Sequence, residues 1–156
     1  MHKIKLLAIG KTSENYLETG IQEYAKRVEK FVGFKTEYIA DVPNGSKFSK
    51  AELKKKEGEL FLKKIPEDAY VILLDDKGKT YTSLQFSEKV NQYLQKKEIL
   101  FIIGGAYGFS DAMYARANEK FSLSSLTFSH QIIRLIFMEQ LYRAFSILNN
   151  QPYHHE

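Results

Sequence analysis

The apolar positions of this chain repeat in two ways, as short strand-like runs and as longer stretches at helical spacing. Ile4 and the run 6–9 up to Gly10 read as a β-strand ending in a turn, after which Leu17, Ile21, Tyr24 and Val28 recur as one face of a helix. Phe34, Thr36, Tyr38, Ala40 and Val42 alternate with more polar neighbours as a second strand, which Pro43-Asn44-Gly45-Ser46 breaks. A charged helix is expected from Lys50 to Lys64. The uninterrupted apolar runs 69–74 and 99–103 have the character of strands covered on both faces, with turns expected at 75–78 and 104–108. Between them Thr82 and Gln85 fit a capping box, opening a helix that buries Phe86, Val90, Tyr93 and Leu94. Ser110 or Asp111 caps a short helix reaching Asn118, residues 121–128 alternate apolar and hydroxyl side chains, and Ser129 opens a long helix to Asn149.

Strands alternating with helices predict an α/β fold, a single domain over residues 1–156 with a mostly parallel sheet and helices on both faces. The last helix is apolar around most of its circumference, leaving only Glu139, Arg143, Ser146 and Asn150 as a polar stripe. Such a helix is either central to its domain or buried against another chain. The second reading is preferred, as a twofold homodimer.

Composition narrows the chemistry. Hydrophobic residues make up 44% of the chain, enough for a packed core. The balance of 23 Lys+Arg against 19 Asp+Glu, a net charge of +4, suits a polyanionic partner without requiring one. The absence of cysteine removes disulfides, thiolate zinc sites and cysteine nucleophiles. No signal peptide and no membrane-spanning run is apparent, so a soluble, cytoplasmic protein is expected. The Lys54-Lys55-Lys56 cluster reads first as a solvated helix face.

In open α/β sheets, ligands collect at the carboxyl ends of the strands, and three loops qualify here: 74–78, 104–108 and 123–129. Gly104-Gly105-x-x-Gly108 permits close backbone approach or simply a tight turn. It is neither a dinucleotide fingerprint nor a P-loop, which makes nucleoside triphosphates poor candidates. The loop Ser124-Ser125-Leu126-Thr127-Phe128 offers backbone amides and carbonyls between apolar sides. His130 has no second ligand at metal spacing, so no metal is expected. Arg134 and Arg143 are candidate phosphate contacts, although Glu139 stands four residues before Arg143 as an intrahelical ion-pair partner. Tyr153 and His154 bring a phenol and an imidazole together near the end of the chain.

These motifs resemble one family across nearly the whole chain: Leu6-Leu7-Ala8-Ile9-Gly10-Lys11, Leu74-Asp75, the glycine loop, Leu123-Ser124-Ser125-Leu126-Thr127, His130, Arg134, Glu139-Gln140-Leu141-Tyr142-Arg143-Ala144 and Pro152-Tyr153-His154. The resemblance is to the RlmH enzymes of the SPOUT superfamily, which methylate N3 of a pseudouridine in large-subunit ribosomal RNA. It implies a SPOUT fold with a C-terminal trefoil knot, a feature that periodicity does not reveal. It also implies S-adenosylmethionine as methyl donor, contacted at Leu74, Gly104, Leu123, Ser124, Ser125, Leu126, Thr127 and Phe128. Two departures stand out: Ser129 where members of that family carry proline, and His155 where some carry arginine. The first is expected to loosen the start of the last helix.

On this reading the enzyme positions an activated methyl and manages the N3 proton without a metal. Arg134 and Arg143 are the expected RNA contacts, and His154, Tyr153 and Arg143 the expected catalytic group, His154 leading as proton acceptor. The substrate is the large-subunit RNA within an assembled ribosome. From architecture alone an α/β phosphohydrolase and a non-catalytic RNA-binding protein remain as rivals.

Overall fold

The computed structural model describes residues 2–155. Five strands, β1 (Ile4–Ile9), β2 (Phe34–Ile39), β3 (Tyr70–Thr80), β4 (Ile99–Ile103) and β5 (Glu119–Ser122), form one sheet in the order β2-β1-β4-β3-β5. Every pairing is parallel. The helices are α1 (Asn15–Glu29), α2 (Lys50–Leu62), α3 (Ser83–Tyr93), α4 (Asp111–Arg116) and α5 (Ile132–Leu148).

Strand alternation divides the core between two faces. Ile4, Leu6 and Ala8 of β1 and Ile99, Phe101 and Ile103 of β4 point to the face covered by α1, α3 and α5. Leu7, Ile9, Leu100 and Ile102 point to the opposite face, under Phe61 of α2 and Met113 of α4. All five residues of β4 are buried, which explains why its sequence is an apolar run without alternation.

The capping signals hold. Thr82 accepts from the Gln85 amide while Gln85 accepts from the Thr82 amide, and Ser110 accepts from the Met113 amide at the head of α4. The run 75–78, expected as a turn that ends the strand, is instead a bulge within β3. Leu74 pairs with Phe121, the chain loops out, and Lys79 and Thr80 pair with the same stretch of β5. A Cβ at Gly78 would lie 2.5 Å from the Phe121 backbone nitrogen, so the bulge closes this tightly only with glycine there.

α5 begins at Ile132, with Gln131 at its N-cap, rather than at Ser129, but Ser129 braces the entry to it: its Oγ accepts from the Ile132 amide at 3.2 Å. Serine thus supplies a hydrogen bond where proline would have supplied a fixed φ. The wide apolar arc of α5 has its first explanation within the chain, because the helix lies between α1 and α3 with Phe137, Met138, Leu141, Ala144 and Phe145 buried. Gly20 of α1 lets the two helices approach, since a Cβ there would meet Leu135 Cδ1 at 2.9 Å. Ile132 stays 40% exposed, and Leu135 and Ile136 are half-buried.

Candidate active site

The carboxyl ends of β3, β4 and β5 open into one cavity of about 460 Å³. Its walls include Leu74, Gly104, Leu123, Ser124, Leu126, Thr127 and Phe128, so the three loops singled out in the sequence do converge. Of the eight expected contacts only Ser125 is not part of the lining. Ile103, Phe109, Phe121 and Ile133 add apolar surface, and Gly108, at φ +85°, has open space where a side chain would stand. The loop 123–129 is braced from within: Ser122 Oγ donates to the Ser124 carbonyl, and Ser124 Oγ accepts from the Leu126 amide.

Asp75 and Asp76 line the cavity, and no lysine or arginine does among the described residues. Burial raises the Asp75 carboxyl, but hydrogen bonds from the Tyr114 hydroxyl and the Lys77 amide outweigh that and hold it below its ordinary value. The cavity therefore combines apolar walls with hydroxyl groups and a negative edge, suited to an uncharged ring and a cationic group and poorly suited to a polyphosphate.

At the head of α5 the structure places two sequence-predicted residues. Arg134 is completely buried, and its guanidinium donates to the carbonyls of Ile9 (2.7 Å), Gly10 (2.9 Å) and His130 (3.3 Å) and to Thr12 Oγ1 (3.2 Å). Expected as an RNA contact, it instead ties the first turn of α5 to the end of β1 and presents no surface to a phosphate. His130 lines the cavity, and burial followed by the nearby Arg134 cation pushes its imidazole below the usual value, keeping it neutral at pH 7.

Arg143, Tyr153 and His154 form a second group. Arg143 Nη2 donates to Glu139 Oε2 at 2.7 Å, as the i, i+4 spacing anticipated, and Nη1 lies 3.0 Å from His154 Nδ1. A guanidinium only donates, so Nδ1 accepts and the ring proton sits on Nε2. The Tyr153 hydroxyl donates to Glu139 Oε2 at 2.7 Å, and the guanidinium lies 4.8 Å from the centre of its ring. Burial, then the hydrogen bonds to Tyr24 and Glu139, push the Tyr153 phenol above its ordinary value, so it stays protonated.

This group and the cavity are not together in one chain. Ile133 lines the cavity, and the helix rises about 15 Å between it and Arg143.

Two residues near the cavity escaped sequence reasoning. Glu57 of α2 is buried, and Asp41, just beyond β2, approaches Gly10. The one available signal for Glu57 was its neighbour Gly58, a glycine inside a helix, where a Cβ would meet Ser110 Oγ at 2.5 Å.

A family model described as a predicted SPOUT methyltransferase matches residues 2–154. A Parabacteroides distasonis protein named ribosomal RNA large subunit methyltransferase H is 51% identical, the alignment covering 99% of either chain. The protein of that name from Flavobacterium psychrophilum is 49% identical over 98% of this chain and 99% of its own. Among solved structures, the A. aeolicus TrmH/SpoU tRNA modifying enzyme matches 100% of this chain and 83% of its own at a TM-score of 0.54 and 10% identity. A probable methylase family protein from Haemophilus influenzae matches 95% of this chain at a TM-score of 0.52 and 17% identity, this chain spanning 66% of its length. The two structural likenesses bear on the fold alone. With the family model matched almost end to end and relatives of half-identical sequence, this chain belongs to the SPOUT methyltransferase family.

Proposed function

We propose that the protein transfers the methyl group of S-adenosylmethionine to N3 of a pseudouridine in large-subunit ribosomal RNA, acting on the assembled ribosome as a cytoplasmic homodimer. The observation that carries this reading is the single cavity in which Leu74, Gly104 and the 123–128 loop meet. Its relatives are named as large-subunit ribosomal RNA methyltransferases, in keeping with that choice of substrate.

The residues present fit the donor. Leu74, Leu123, Leu126 and Ile133 supply apolar walls for a purine ring, the glycine loop brings backbone close, and Asp75 keeps negative charge beside a cation. Bound there, S-adenosylmethionine would supply a methyl already activated by its sulfonium, which leaves the protein to orient the acceptor and manage one proton. No group of three metal-ligating side chains occurs among the described residues, and the reading assigns no metal.

The distance between cavity and tail supports a twofold dimer. A second copy laid antiparallel along α5 covers Ile132, Leu135 and Ile136 and brings its Arg143, Tyr153 and His154 beside the first copy's cavity. Arg143 and Tyr153 then hold the acceptor nucleotide by hydrogen bonds, with His154 receiving the proton once Arg143 turns to the RNA. β5 lies at the edge of the sheet while α5 packs over its middle, so residues 123–131 return past the glycine loop; we assign the knot of the fold to this return.

Two measurements test the reading. Calorimetry with S-adenosylmethionine is expected to show one site per chain, and mass mapping of ribosomal RNA from a deletion strain to show one methyl missing and restored by the gene. Absence of donor binding, or an unchanged RNA mass, overturns it.

A further inference from the structure

A second cavity, of about 570 Å³, opens on the other side of the glycine loop and shares Gly105, Ala106, Tyr107 and His130 with the first. Glu57 is one of its walls. The residue is only 8% exposed, yet its carboxyl receives no hydrogen bond from any described residue. It presses against the loop, for a Cβ on Gly105 would come 2.6 Å from its Oε2. Burial, and then the charge of Asp41 in the same cavity, push this carboxyl up to about 7. The carboxyl oxygens face the cavity and have no donor among the described residues, so they are open to a donor that enters it.

The surroundings indicate what kind of donor. Phe48 and Tyr107 line the same cavity, with Lys56 Nζ 4.7 Å from the centre of the first ring and Lys50 Nζ 5.1 Å from that of the second. Aromatic rings bordered by lysines above a carboxylate floor suit a nucleotide swung out of its strand. The rings pack against the base, the ammonium groups meet flanking phosphates, and the carboxylate takes a ring N–H.

We propose that the second cavity seats the target pseudouridine and that the Glu57 carboxylate accepts its N1–H, the ring N–H that a uridine lacks. In pseudouridine the ribose is carried on carbon, leaving both ring nitrogens with hydrogens; in uridine the ribose occupies N1. N1 and N3 flank the same carbonyl, so a base held at N1 by Glu57 turns N3 away from α2 and toward the wall shared with the donor cavity. This inference rests on the proposed reaction and deepens it: Glu57 reads the modification that must precede methylation, and an enzyme that isomerises uridine must act first.

The test compares single-turnover methylation of large-subunit particles carrying pseudouridine or uridine at the target, with S-adenosylmethionine affinity measured in parallel. Wild-type enzyme is expected to prefer pseudouridine by about 100-fold or more, as sites built around a substrate N–H do. Glu57→Leu is expected to slow reaction on pseudouridine about 10- to 100-fold and reaction on uridine much less, so that the preference collapses. An undiminished preference in that variant overturns the assignment. Should the leucine variant lose donor affinity, Glu57→Gln decides, since it keeps the volume and an acceptor without the charge: a preference reduced several-fold supports the assignment, and an unchanged one overturns it. Wild-type enzyme that binds no donor or methylates neither particle instead strikes down the proposed reaction itself.

Discussion

The guanidinium of Arg134, at the head of α5, donates to the carbonyl of Gly10, at the end of β1, over 2.9 Å with neither side chain nor acceptor exposed. The same side chain also satisfies the carbonyls of Ile9 and His130. The contact joins two segments more than a hundred residues apart in sequence and holds the helix that lies across the middle of the sheet.

Arg134→Met is therefore expected to act on stability. Leaving buried carbonyls without a donor costs about 3 kcal/mol, read as a lower midpoint in urea unfolding. Unchanged stability together with weakened RNA affinity would instead return Arg134 to the role of an RNA contact.

Gly104→Val is expected to abolish donor binding while the chain remains folded. A Cβ at Gly104 already comes 3.1 Å from the Phe109 ring and 3.3 Å from the Gly108 carbonyl, so two further methyls force the loop into the cavity. Calorimetry should register at least a 100-fold loss of affinity, about 3 kcal/mol. Wild-type affinity would place the donor elsewhere.

His154→Ala is expected to lower turnover sharply with donor affinity preserved, because the imidazole sits with Arg143 away from the cavity of its own chain. If the two halves of the site come from different copies, Gly104→Val and His154→Ala chains, each inactive alone, regain activity when co-expressed. In the mixed dimer one cavity is intact and faces an intact tail. Size-exclusion chromatography with light scattering checks the dimer independently, and mixed chains that stay inactive despite forming one would confine the site to a single chain.

Glu57→Gln is expected to stabilise the protein increasingly as pH rises from about 4.5 to about 7. The folded chain holds the Glu57 proton up to about pH 7, above the ordinary value of 4.5, so it binds that proton more tightly than the unfolded chain does. Ionisation consequently costs stability as pH rises through that interval, and the cost is complete above it. Urea unfolding should show equal stability of the two proteins at pH 4 and a higher midpoint for the glutamine variant at pH 8. Equal stability at pH 8 would mean that Glu57 is not held away from water as described.

Much of this molecule was legible in the order of its residues. The apolar runs at 69–74 and 99–103 announced buried parallel strands, and Thr82 with Gln85 and Ser110 marked helix heads, because those signals depend on neighbours within a few positions. The three loops that line the cavity were picked out for the same reason, each carrying turn residues after an apolar run. The bulge at 75–78 was not, since a turn sequence and a loop within a strand use the same residues and only pairing with β5 distinguishes them.

The roles of charged side chains were decided by tertiary structure. Nothing adjacent to Arg134 in the chain foretells that β1 will deliver two carbonyls to it, and beyond Gly58 nothing around Glu57 in a lysine-rich helix foretells burial beneath the glycine loop. Local periodicity sets which residues form an element and which of its faces is apolar. Whether a charge meets water, a carbonyl or an empty cavity depends on what distant segments bring to it, and that is set only when the sheet orders its strands and α5 comes to rest between α1 and α3.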